Sequence, residues 1–140
     1  MSDHAMSEYL KTLQSRLDAS ESRVDDFVVE QGISGDWTYR KWNSGIAECW
    51  RTWTSAAFAP ATAVGGFYGR VLPNSGTYSL PSGLFVTAPI MSVNLTEWGS
   101  GYFWGSARAV TYTSFKMTLF RNDNASSAGV AKIYAIGRWK

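Results

Sequence analysis

The chain of 140 residues is poor in the side chains that most chemistry needs. It has a single histidine, His4, near the N-terminus, and a single cysteine, Cys49. One cysteine cannot form an intramolecular disulfide, and it suits synthesis in a reducing compartment. Without a histidine in the remaining chain, neither Cys49 nor any serine has an imidazole base to activate it. Metal sites built from His and Cys are excluded by count, and no cofactor is expected. Cys49 therefore reads first as a small buried hydrophobe. No apolar run approaches 18 residues, so no membrane-spanning helix is expected. The polar, acidic N-terminus is no secretory signal; Met1–Ala5 has the character of a vector-derived leader ahead of Met6. Gly99-Ser100-Gly101 lacks the Lys-Ser/Thr of a phosphate loop and reads as a hairpin loop. Acids are scarce beyond residue 30: Asp36, Glu48, Glu97 and Asp123 are the four there, and no spacing pairs two of them for glycoside hydrolysis. The sequence is thus read as non-enzymatic.

Aromatic residues are plentiful: seven Trp, seven Tyr and seven Phe, almost all beyond residue 30. Charge is uneven. Residues 1–30 hold seven acids and three bases, net −4, whereas residues 31–140 hold ten bases and four acids, net +6. A basic C-terminal part favours anionic partners such as wall polymers, acidic glycans or nucleic acid, or serves solubility alone. The bases are scattered in sequence rather than clustered, which argues against nucleic acid.

The first 27 residues carry no Pro or Gly and read as one helix. Apolar residues follow a heptad, with Leu10, Leu17 and Val24 at a and Met6, Leu13 and Phe27 at d. Ser20 interrupts the seam. Such a helix, roughly 35–40 Å long, is marginal alone because its stripe has nothing to bury against. Arg16 at g faces Glu21 at the next e across a parallel coiled coil. Packing of the helix on its own β domain is the competing arrangement, and the seam does not choose dimer over trimer. The predicted division is residues 1–30 as coiled-coil helix and 31–140 as β-rich head.

From Gly32 and Gly35 onward the pattern is β. Trp37–Trp42 and Ile46–Trp53 alternate around the turn Asn43-Ser44-Gly45 and predict a hairpin. Thr54–Ala63, small and containing Pro60, reads as a loop. Further strands are expected at Gly66–Leu72, Ile90–Thr96, Ala107–Thr113, Phe115–Arg121 and Val130–Gly137, with turns at 73–76, 81–83 and 122–128. Seven or eight short strands predict an antiparallel β-sandwich or jelly-roll-like head.

Two aromatic clusters stand out. Trp37, Trp42, Trp50 and Trp53 suit core or subunit interface, with Arg40, Lys41 and Arg51 placed to stack on them. Trp98, Tyr102 and Trp104, beside Gly and polar residues and near Arg108, suit a saccharide-binding loop, since rings pack on sugar C–H faces while polar groups bond hydroxyls. Packing of the same rings against a neighbouring subunit is the alternative.

Specific strings carry a resemblance. Val28-Val29-Glu30-Gln31-Gly32, Trp37-Thr38-Tyr39-Arg40-Lys41-Trp42-Asn43-Ser44-Gly45-Ile46-Ala47-Glu48-Cys49-Trp50, Leu80-Pro81-Ser82-Gly83-Leu84-Phe85 with Pro89, and Tyr134-Ala135-Ile136-Gly137-Arg138-Trp139-Lys140 resemble the C-terminal segment of tail fibre or receptor-binding tail proteins from phages and prophages of Gram-positive, often gut (Firmicutes), bacteria. The match departs at Arg51, where the pattern has Gly. The resemblance implies a virion tail protein, a homotrimer, upstream tail proteins as partners, and attachment to a host cell-surface glycan, or a purely structural trimerisation or tip-capping role. It brings no catalytic residues.

Overall fold

The computed structural model describes residues 2–22 and 26–140, the side chains of 18–22 apart. One helix, α1 (Asp3–Ser22), precedes ten strands. These are β1 (Val28–Ser34), β2 (Trp37–Trp42), β3 (Ile46–Phe58), β4 (Thr62–Val64), β5 (Phe67–Leu72), β6 (Tyr78–Ser79), β7 (Ile90–Trp98), β8 (Phe103–Arg108), β9 (Ser114–Arg121) and β10 (Ser127–Arg138). They form two antiparallel sheets. The first runs β1-β2-β3-β10-β7; the second runs β4-β5-β9-β6, with β8 also paired to β9.

The helix is shorter than the heptads predict. Val28 already pairs with Trp42, Asn43 N–H donates to the Phe27 carbonyl (2.8 Å), and Asp26 Oδ1 accepts from Ser44 N–H (2.9 Å). Residues 26–30 are thus bound to the β2–β3 hairpin and cannot continue a helical ladder. Phe27 falls outside the seam, and Val24 lies outside the described residues. What remains of the stripe is exposed: Met6 45%, Leu10 56%, Leu13 42% and Leu17 53%.

The β2–β3 hairpin forms as expected, with Tyr39 opposite Cys49 and Arg40 opposite Glu48. Elsewhere the structure differs: β4, β6 and most of β8 lie where no strand is expected, and three further stretches depart as well. β3 runs on through Thr54–Phe58, because β10 pairs with it as far as Ser127 opposite Phe58. Residues 109–113 form a turn, in which Ala109 takes a φ of +51° and the Thr111 hydroxyl accepts from the Thr113 and Ser114 N–H groups. Residues 99–101 do not close a hairpin: they carry the chain from β7 in one sheet to β8 in the other.

The two sheets bury one core between them, drawn from Trp37, Ala47, Cys49 and Trp53 on one side and Phe115, Met117 and Leu119 on the other. Burying large apolar side chains contributes about 1.5–3 kcal/mol each and drives the sandwich together. The irregular segment 80–89 adds Leu80, Leu84 and Phe85 to this core. It is tied in by Leu80 N–H to the Thr113 carbonyl and Val86 N–H to the Arg138 carbonyl, both 3.0 Å. Gly137 permits the approach: a Cβ there would lie 3.0 Å from the Phe85 ring and 3.1 Å from Pro89.

Candidate ligand-binding face

The expected site residues part company in the structure. Trp98 is fully buried, which removes it from any ligand-binding role. Its ring stacks on Phe58 with centroids 4.8 Å apart, its Nε1 donates to the Phe58 carbonyl (3.2 Å), and the Arg121 guanidinium sits 5.1 Å from its centroid. Tyr102 is 78% exposed, and its backbone is pinned by Asn122 in both directions, each bond 3.0 Å. Trp104 and Arg108 lie on the outward side of β8, where Trp104, Ser106 and Arg108 alternate with the inward Phe103, Gly105 and Ala107.

Register then defines a face on the second sheet. Trp104 pairs with Phe120 and Phe120 with Gly69; Ser106 pairs with Thr118 and Thr118 with Val71; Arg108 pairs with Lys116. Trp104 stacks on Phe120 at 5.2 Å and meets Phe67 edge-on at 4.9 Å. A groove of about 390 Å³ runs beside these rings, lined by Val64, Gly69, Val71, Arg108, Thr118 and Phe120 among others. Gly69 keeps it open, because a Cβ there would press to 3.0 Å from the Phe120 ring. Phe67, Gly69, Lys116 and Phe120 were not singled out from sequence. The usable signal was Gly69 inside the strand pattern Phe-Tyr-Gly-Arg-Val, since an isolated strand glycine marks close approach.

The outer face of the first sheet is built differently. Glu48 accepts from Trp42 Nε1 (3.1 Å) and from the Tyr134 hydroxyl, and lies 3.2 Å from Arg40 Nε. Arg40 in turn covers Trp50 at 4.7 Å. Both Glu48 oxygens are engaged in this cluster, while Arg40 Nε stands at ion-pair distance without hydrogen-bond geometry. The remaining acids are dispersed: Asp36 pairs with Arg51 (3.4 Å), Asp123 with Arg121 (2.8 Å), and Glu97 lies opposite Val130 while Glu48 lies opposite Ile136. Six residues of β10 separate the last two, on the order of 20 Å. Among the described residues no group of His, Cys, Asp and Glu could hold a metal, and no helix is long and apolar enough to cross a membrane.

Burial pushes the Cys49 thiol up to about 12, with the Glu48 charge adding to it. Burial and then Glu48 push the Tyr134 phenol up to about 12 as well. The unfolded chain releases these protons near 9 and 10 respectively, whereas the folded chain holds them. The stability that these two groups contribute is therefore full below pH 9 and falls as pH rises from 9 toward 12. Denaturation midpoints between pH 8 and 11 should show this fall, and it should flatten in Cys49→Ala/Tyr134→Phe. Cys49 should also resist alkylation until the protein unfolds; rapid native-state labelling would contradict its burial.

No protein-family model matches the chain, and no curated protein matches it in sequence. Two solved structures are similar in fold. The P. aeruginosa R1 pyocin fibre comprising C-terminal residues gives a TM-score of 0.48 at 16% identity, over 81% of this chain and 28% of that one. The N-truncated R1-type pyocin tail fibre gives a TM-score of 0.52 at 16% identity, over 81% of this chain and 86% of that one. Over most of its length the chain thus shares its fold with the R1-type pyocin tail fibre.

Proposed function

We propose that this chain is the C-terminal head of a tail fibre or receptor-binding protein in a phage or prophage tail, that it is a homotrimer, and that it contacts host cell-surface saccharide. The fold shared with the R1-type pyocin tail fibre carries the first part. The exposed stripe Met6, Leu10, Leu13 and Leu17 supports the second, since an apolar seam in water is stable only against copies of itself or a partner. In this reading α1 continues a stalk that joins upstream tail proteins, and the head works by binding rather than catalysis, with no nucleic acid and no membrane insertion. The Gram-positive host group rests on the sequence strings alone.

The saccharide part now rests on Trp104, Tyr102 and Arg108, with Phe67 and Phe120 replacing Trp98. Trp104 is 43% exposed, enough to offer part of a ring face. A glycan array should give binding that Trp104→Ala reduces without unfolding the head. Absence of binding across host wall extracts would leave the structural trimerisation or tip-capping role. Ile33 (78% exposed) and Ile90 (79%) on the first sheet favour that second role as subunit contacts.

A further inference from the structure

Arg108 and Lys116 are direct partners across β8 and β9, two like charges at one register position. Like charges opposite each other on one face destabilise a sheet. Other cations of this head are engaged: Arg40, Lys41, Arg51 and Arg121 each lie within ion-pair distance of a carboxylate, and Arg70, Lys132 and Arg138 donate to carbonyl, amide or hydroxyl oxygens. Among the described residues neither Arg108 nor Lys116 lies within ion-pair distance of a carboxylate, and the strands of the second sheet carry no acidic side chain at all. The repulsion is thus left standing at one end of the face whose other end holds Trp104, Phe120 and Phe67.

We infer that this face binds an acidic oligosaccharide: a sugar ring packs on Trp104 and Phe67 while a ring carboxylate further along the chain is held between Arg108 and Lys116. This rests on the saccharide reading above and assigns its class of ligand. The two ends are about 13 Å apart along the strand, the four residues from Trp104 to Arg108 at about 3.3 Å each, so the ligand is an oligomer rather than a single sugar. Ser106 and Thr118, paired between the ends, supply hydroxyls for the intervening unit. Arg108 presents a planar fork matched to a carboxylate, and Lys116 adds a point charge. A glycerol-phosphate polymer would satisfy the cations but offers no ring faces to the aromatic end, which is why a uronate chain fits better.

The test uses the full chain and a panel of uronate oligosaccharides, each paired with its neutral methyl ester, together with poly(glycerol phosphate). Calorimetry should show an acid preferred over its ester by roughly ten- to a hundredfold, declining with added salt. Arg108→Gln/Lys116→Gln should erase that preference by bringing acid affinity down to that of the ester, whereas Trp104→Ala should weaken acid and ester alike and keep their ratio. Without ligand, Arg108→Glu should raise Tm by about 1–3 °C by turning repulsion into attraction, and abolish acid binding. Equal binding of acid and ester would overturn the inference while leaving the saccharide reading intact. Tighter binding of poly(glycerol phosphate), a preference surviving the double variant, or no binding of any acid would overturn it too. A glycan array negative for all sugars would instead remove the underlying reading.

Discussion

Trp98→Ala is expected to cost about 3–5 kcal/mol of stability, the range for deleting a fully buried large aromatic. Trp98 is wholly enclosed, stacked on Phe58, covered by Arg121, and hydrogen-bonded to the Phe58 carbonyl. Phe58 in turn meets Trp53 of the same strand edge-on at 6.1 Å, and Arg121 belongs to β9, so the cavity would open where β7, β3 and β9 meet. Trp98→Phe keeps most of the ring but orphans that carbonyl, and should cost only about 1–2 kcal/mol. Denaturant midpoints at one fixed protein concentration separate the two variants. A Trp98→Ala loss near zero would mean that the ring is free, as a ligand-binding tryptophan would be.

Arg121→Met should cost about 2–4 kcal/mol, for a different reason. Arg121 is 2% exposed, a buried cation held in three directions. Its Nε lies 2.8 Å from Asp123 Oδ1, an ion pair whose angle is poor for a hydrogen bond. Its two terminal nitrogens donate to the carbonyls of Ala125 (3.1 Å) and Ser100 (3.2 Å). Methionine fills the space but leaves both carbonyls unpaired. These bonds tie the 99–101 crossover to the 122–126 turn, so amide exchange at Gly101–Tyr102 should quicken with the loss of stability. Arg121→Lys should recover little, because one ammonium cannot reach all three partners. Protection unchanged in Arg121→Met would contradict this tie.

The same local geometry shows where the sequence was readable. Strict alternation identified the β2–β3 hairpin, and Ala47, Cys49 and Trp53, at alternate positions of β3, are all buried. Trp98 misled because alternation breaks just before it. Val93 and Leu95 point inward, but a bulge opposite Val130 and Ala131 inserts one residue, so that Trp98 rather than Glu97 turns to the core. The flanking Gly-Ser-Gly made that ring look like part of an open loop. Phe27 misled through register: it extends the heptad, yet Asn43 and Trp42 recruit its backbone neighbourhood into sheet pairing. Trp104, Tyr102 and Arg108 kept their exposure, but the face they belong to depends on β5 and β9, whose pairing spans some 50 residues and leaves no local trace. In the string at 80–85 with Pro89, Leu80, Leu84 and Phe85 prove to be core, with Phe85 and Pro89 against Gly137, while Ser82 and Gly83 are exposed.

The trimer remains the claim on which the tail-head reading turns, and solution mass tests it most directly. Light scattering on the full chain at micromolar concentration should give about 46.5 kDa, three times the 15.5 kDa of one chain. Leu10→Asp/Leu13→Asp should lower that mass while the head keeps its β-sheet signal. A mass of 15.5 kDa for the unaltered chain would contradict the trimer and the coiled-coil seam together.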